Sequence, residues 1–258
     1  MQTEKISGIL FDLDGVLYVG NQAIEGAIAT LSWLRERQIP FRFITNTSTR
    51  SAADVAGKLN SMGFTIDADD IFSAVTATRE FLLKHGSPSV HLLVRESLKA
   101  DFAEFPQQQT VPDFVVVGDI GAAWDYQLLN RVFRELMAGA RLVAMHMNKY
   151  WQTEQGLQMD IGAFVAGLEF VSGQQSTVIG KPSKDFFHLA TESMGLDPEQ
   201  VLVVGDDIEN DIGGAQAAGL QGALVKTGKY RDILVKKSEI TPNAIIQSIA
   251  NLPTLLGD

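Results

Sequence analysis

Four short stretches gather acids, amides, hydroxyls and a lysine in patterns that could do chemistry. They are Phe11-Asp12-Leu13-Asp14-Gly15, Thr45-Asn46-Thr47-Ser48, Gly180-Lys181-Pro182-Ser183 and Gly205-Asp206-Asp207. Asp12 and Asp14 are two residues apart, so on a near-extended backbone both face one side. Two negative charges about 4 Å apart, at an effective dielectric of about 20, repel by roughly 4 kcal/mol. Such a pair needs a proton on one acid or a shared cation. The chemistry that fits is phosphoryl transfer from a monoester. One carboxylate attacks phosphorus and forms an acyl phosphate. A second protonates the leaving oxygen, then takes a proton from the water that opens the intermediate. An acidic, all-oxygen cluster is the environment Mg²⁺ prefers. Lys181, Thr45 and Asn46 supply the charge and donors that phosphoryl oxygens require.

These groups must be carried by elements that bring them together. Ile6 to Asp12 reads as a short buried strand, and Ile24, Ile28, Leu31 and Leu34 recur at helical spacing. Phe41 to Ile44 reads as a second strand ending at Thr45, and Ser51 to Met62 as a helix. The alternation returns later: a helix over Asp185–Met194, the apolar run Val201–Val204, a Gly- and Ala-rich helix over Ile208–Ala218 and a strand over Gly222–Val225. A short helix with Thr241-Pro242 as its cap is expected to follow. Strand–helix alternation of this kind implies βαβ units and a parallel sheet. In such a sheet, ligands bind beyond the carboxyl ends of the strands, near the point where strand order reverses. Asp12/Asp14, Thr45/Asn46 and Asp206/Asp207 all stand at such ends.

The middle of the chain has a cycle of its own. Val90–Val94, Phe114–Val117 and Arg141–Met145 read as strands, and Trp124–Met137 and Asp160–Val171 as helices. The expected architecture is therefore α/β: a Rossmann-like parallel-sheet core domain interrupted by a smaller α/β insertion. Residues 1–72 and 179–258 form the core, and 73–178 the insert.

Composition sets bounds. The 258 residues include 31 acidic and 21 basic ones, a net charge of −10, which argues against nucleic acid or an anionic membrane surface as partner. There is no cysteine, which excludes disulfides, thiolate metal sites and thiol nucleophiles. The opening MQTEKISGIL has no basic segment leading into a long apolar run, and no stretch approaches the roughly 18 to 20 apolar residues of a membrane span. The expectation is a soluble, cytoplasmic protein.

The stretches "DLDGVLY", "ITNTS", "GKPS" and "GDDIENDI", in that order, resemble the four motifs of the haloacid dehalogenase superfamily of phosphatases. The insertion between the second and third resembles the larger α/β cap of its 4-nitrophenyl phosphatase-like branch. The resemblance implies Asp12 as nucleophile, Asp14 as general acid/base, Thr45 and Asn46 as phosphate ligands, and Lys181 as the charge-neutralising lysine. It implies Mg²⁺ held by the Asp12 carboxylate, the Asp14 carbonyl and Asp206, with Asp211 supporting the metal waters and the lysine. It implies a small phosphorylated metabolite as substrate, and a possible homodimer formed through the cap.

The later stretches "GLQMDIGAFVAGLEF", "GDDIENDIGGAQAAG" and "VKTGKYR" are most similar to members of that branch that cleave phosphoramidates and pyrophosphate. Those members lack an acid at the position of Asp14. A P–N or pyrophosphate bond asks less of a general acid than an alkoxide does. Asp14 therefore tilts the expectation towards ordinary monoesters, with phosphoramidate or pyrophosphate cleavage, or phospho-ligand binding without turnover, as alternatives.

Blander readings stand beside these. Asp12 and Asp14 are also turn formers before Gly15. Thr47 or Ser48 suits helix capping, as does Asp207 before Ile208. Lys181 read alone is a solvated surface lysine. A dehalogenase needs only one attacking carboxylate and no metal, so Asp14 and the Asp206 cluster argue against it. His146–Trp151 is a candidate specificity surface, and Gly15–Gly20 reads as a flexible apolar flap.

Overall fold

The computed structural model describes residues 6–107, 110–153 and 156–257. Residues 1–5, which begin the segment read above for an export signal, lie outside the described residues, as does 258. The strands in chain order are β1 (Gly8–Asp12), β2 (Tyr18–Val19), β3 (Gln22–Ala23), β4 (Phe41–Thr45), β5 (Ile71–Ser73), β6 (Val90–Leu93), β7 (Phe114–Val117), β8 (Arg141–Ala144), β9 (Tyr150–Thr153), β10 (Gly156–Met159), β11 (Thr177–Val178), β12 (Val201–Gly205), β13 (Gln221–Val225) and β14 (Ala244–Ile246). The chain divides into two compact units, one of residues 1–45, 52–72 and 181–258, the other of 46–51 and 73–180. Asn46 to Ser51 thus group with the inserted unit.

The first unit is built on a sheet of order β14-β13-β12-β1-β4-β5. The pairs β14–β13, β13–β12, β12–β1 and β1–β4 are all parallel. Chain order runs outward from β1 to β4 and β5 on one side, and from β12 to β13 and β14 on the other. The reversal therefore lies between β1 and β12, where α/β folds open a crevice. Both strands are buried along their whole length, as expected of parallel strands covered on both faces. Phe11, Phe41 and Phe43 pack with ring centroids 5.4–6.2 Å apart, which pins β1 against β4 from within the core.

Several expected elements shift. The first helix is Ala27–Glu36 and buries Ala27, Thr30, Leu31 and Leu34, whereas Ile28 is exposed. Ile24 stays outside it because its N–H donates to Leu17 O. The segment after Asp14, read above as a flap, is anchored at its start and exposed at its tip, Val19 and Gly20. Val16, Leu17 and Tyr18 are buried in the core of this unit, and the chain turns back as the β2–β3 hairpin. Burial of the Val16 and Leu17 side chains contributes about 1.5–3 kcal/mol each to that anchor. Thr241-Pro242 caps no helix; it leads into β14, and the short helix is Asp232–Lys237, earlier in the chain. Residues 208–213 form a π-helical turn before the short α-helix Gly214–Ala217.

The inserted unit has its own parallel sheet of order β11-β8-β7-β6 and a separate antiparallel hairpin of β9 and β10. Its helices Tyr126–Met137 and Gly162–Ser172 bury Val132, Leu136, Val165 and Leu168. Among the described residues, no helix is long and apolar enough to cross a membrane.

Candidate active site

Three carboxylates converge at the reversal point of the first unit's sheet. Asp12 ends β1, and Phe11 is in register with Val204 of β12, so Asp206 follows on the next strand at the same edge. Asp211 returns to that edge through the π-helical turn, a distortion often found at functional sites. Its Oδ2 accepts from the N–H groups of Asp206 at 3.2 Å and Asp207 at 3.1 Å. Gly205 is required for that approach, since a Cβ there would stand 2.3 Å from Asp211 Cβ. One oxygen from each of Asp12, Asp206 and Asp211 lies within 4.8 Å of the others.

Lys181 is bound into this group and is not a surface lysine. Its Nζ donates to Asp12 Oδ1 at 2.6 Å and to Asp211 Oδ1 at 2.7 Å, and the side chain is 5% exposed. Burial alone would lower its pKa, but Asp12 and Asp211 hold it above the ordinary lysine range, so it stays charged. Burial, followed by the charges of Asp12 and Asp211, pushes Asp206 up to about 7. Burial pushes Asp211 up to about 6 against the pull of Lys181. Asp206 Oδ1 is buried with no hydrogen-bond partner among the described residues. An oxygen left this way costs about 1–3 kcal/mol and is the position a cation would satisfy.

The crowding anticipated between Asp12 and Asp14 falls elsewhere. Asp14 lies two residues past the end of β1, is exposed, and does not join the acidic group. Leu13 between them is buried and turns the backbone out of the extended path, so the partners of Asp12 are Asp206 and Asp211. Thr45 ends β4 beside Asp12, whose register partner is Ile44, and is half-buried. Asn46 follows it in the inserted unit, where a Cβ on Gly180 would come 2.7 Å from its Oδ1. That contact sets Asn46 against the residue preceding Lys181.

Asp207 caps the π-helical turn, accepting from Glu209 N and Asn210 N. Burial raises its pKa, yet the Asn210 hydrogen bonds bring the net value below the ordinary range. Ser48 caps no helix; its hydroxyl lies 3.1 Å from Nε2 of the buried His146. Tyr150 and Trp151, further along the same run, are exposed.

The loop after β13 was missed as part of the site. Lys229 N–H donates to Asp206 Oδ2 at 2.7 Å, and the Thr227 hydroxyl donates to Gly15 O. Gly15 and Gly228 both sit at positive φ against Asp206: a Cβ on either would fall 2.0 or 2.1 Å from Oδ2. Only glycine fits this pinch. The available signal was Lys226-Thr227-Gly228-Lys229 directly after a buried strand, the same rule that marked the other strand ends.

The haloacid dehalogenase-like hydrolase family matches residues 9–106, and a second HAD-hydrolase-like family residues 178–252. The chain belongs to the haloacid dehalogenase-like hydrolases. It is 39% identical over 226 residues to human haloacid dehalogenase-like hydrolase domain-containing protein 2, covering 88% of this chain and 86% of that one. It is 34% identical over 259 residues to phospholysine phosphohistidine inorganic pyrophosphate phosphatase of Xenopus laevis, covering 97% and 94%. Among solved structures, a 4-nitrophenylphosphatase from Thermotoga maritima superposes with a TM-score of 0.90 at 27% identity, covering 98% of each chain. The protein is therefore a hydrolase, and it shares its α/β architecture with the Thermotoga maritima enzyme.

Proposed function

We propose that this hydrolase cleaves small phosphate monoesters with the help of Mg²⁺, through an aspartyl-phosphate on Asp12, with residues 73–178 acting as its cap. The observation that carries the reading is the Asp12–Lys181–Asp211 arrangement beside the unpartnered Asp206 oxygen. Lys181 holds Asp12 in a defined position through the 2.6 Å contact to Oδ1, which an attacking carboxylate requires. Asp12, Asp206 and the Asp14 carbonyl would hold the cation, and their hard oxygen donors fit Mg²⁺. Bound there, Mg²⁺ would offset the charge of the carboxylates and of the phosphoryl group.

In the reaction, a carboxylate oxygen of Asp12 attacks phosphorus while the ester P–O bond breaks. Asp14 gives its proton to the departing alkoxide. Water then attacks the aspartyl-phosphate phosphorus and yields its proton to Asp14, releasing inorganic phosphate and restoring Asp12. Thr45 and Asn46 donate to the phosphoryl oxygens, and Lys181 balances their charge. The exposure of Asp14 supports this division of labour, because a side chain outside the acidic group is open to a leaving group and to water.

The test is hydrolysis of 4-nitrophenyl phosphate. Asp12→Asn lowers kcat by at least about a thousandfold, and a chelator abolishes the wild-type rate. Asp14→Asn lowers kcat by about a hundredfold or more for alkyl phosphates, and much less for 4-nitrophenyl phosphate, whose phenolate leaves without a proton. Full activity in Asp12→Asn sinks the nucleophile, and chelator-resistant turnover sinks the metal. The phosphatase named for phospholysine, phosphohistidine and pyrophosphate supports a second reading, cleavage of P–N or pyrophosphate bonds on the same scaffold. A higher kcat/KM for pyrophosphate or a phosphoramidate than for alkyl phosphates would favour it.

A further inference from the structure

Lys229 lies where it can act on the acidic group through charge without entering it. Its main-chain N–H is committed to Asp206 Oδ2, and that position is set by Gly228 packed against Gly15. The side chain leaves this anchor for solvent, with Nζ 3.9 Å from Asp207 Oδ2 and about two-thirds exposed. From there its ammonium interacts favourably with Asp12, Asp206 and Asp211, and unfavourably with Lys181. It also borders a cavity of about 320 Å³ whose wall includes Asp206 and Asp207, so the ammonium is not sealed in place.

The charges of the site give this placement a consequence. With Asp12, Asp206, Asp207 and Asp211 ionised, four negative charges face the two positive charges of Lys181 and Lys229, leaving a net −2. Lys181 is buried and pinned between two acids, so its charge is fixed. Lys229 is the adjustable member. A cation beside the acids competes with a divalent metal for the same field and, by the same field, attracts an incoming phosphate dianion.

We propose that Lys229 sets the charge balance of this site, loosening its hold on the divalent cation and strengthening its hold on phosphate. The inference rests on the metal-assisted reading above, and adds a residue and opposed effects to it. Solvent screening of an exposed ammonium keeps each effect modest, at about three- to tenfold.

Calorimetric titration of the full-length protein tests it, with Mg²⁺ alone and then with inorganic phosphate at saturating Mg²⁺. In Lys229→Met the main-chain N–H to Asp206 is retained. Mg²⁺ Kd should fall three- to tenfold while phosphate Kd rises three- to tenfold, and both changes should shrink on raising NaCl from about 50 to about 500 mM. Lys229→Arg keeps both constants within about twofold of wild type. A substitution that merely loosened the loop would weaken both ligands together, so that outcome overturns the proposal, as does no change in either. Wild-type protein that binds no Mg²⁺ removes the metal reading and this inference with it. Wild-type binding with unopposed changes in Lys229→Met removes only the inference.

Discussion

At the scale of single residues, the site is a problem in charge. Asp206 carries an oxygen that is buried and unpartnered, and its pKa is pushed up to about 7 by burial and by Asp12 and Asp211. The unfolded chain would release that proton near pH 4. Between about pH 4 and pH 7 the folded state therefore binds more protons than the unfolded one, and stability of the metal-free protein falls as pH rises through this window. A divalent cation favours the ionised form and opposes the loss. Thermal melts with and without Mg²⁺ should show a larger stabilisation at pH 8 than at pH 5. Equal stabilisation at the two pH values would count against Asp206 as a ligand. Lys181 does not contribute to this dependence, since its pKa is held above the ordinary lysine range.

At the scale of elements, the site depends on strand ends and on the loops that close over them. Asp12, Thr45 and Asp206 were legible in sequence because a buried apolar run followed by polar residues marks the carboxyl end of a parallel strand. The loop after β13 obeys the same rule, yet its contribution is a backbone N–H and an absence of side chain, which residue chemistry does not announce. Gly228→Ala puts a methyl group 2.1 Å from Asp206 Oδ2 and 2.5 Å from Gly15 Cα. Overpacking together with a left-handed backbone should cost about 2–4 kcal/mol. Denaturant unfolding would show the loss, with Mg²⁺ affinity falling in parallel because Asp206 is displaced. Gly20→Ala, where no atom lies within 4 Å of the added methyl, separates backbone strain from crowding. A cost as large at Gly20 as at Gly228 would rule out the pinch on Asp206.

At the scale of the whole molecule, the inserted unit bears surface that its own core does not use. On the β9–β10 hairpin, Tyr150 pairs with Met159, and Leu157 shares their face. These three side chains are 60%, 62% and 68% exposed, unusual for apolar residues grouped on one strand pair. An isolated two-stranded sheet is marginal in water without a covered face. The homodimer expected from family resemblance would supply that cover. Light scattering should then give twice the chain mass, and Leu157→Glu should shift it to monomer without loss of fold by circular dichroism. Wild-type protein that scatters as a monomer removes the expectation.

The four motifs, the parallel core, the insert and the family membership were all readable in the chain, because they rest on local patterns: alternation of strand and helix, acids at strand ends, and an ordered set of short stretches. Which acids face one another was not. The two-residue spacing of Asp12 and Asp14 presumed an extended backbone, but burial of Leu13, Val16 and Leu17 bends it, and Asp14 turns outward. The partners of Asp12 come instead from Lys181, Asp206 and Asp211, which are remote in sequence and adjacent only because β1 pairs with β12 at the reversal of the sheet. Sequence alone determined which chemical groups the protein carries. Tertiary structure decided which of them share one buried, low-dielectric space, and there separation in ångströms, not in residues, controls charge and pKa.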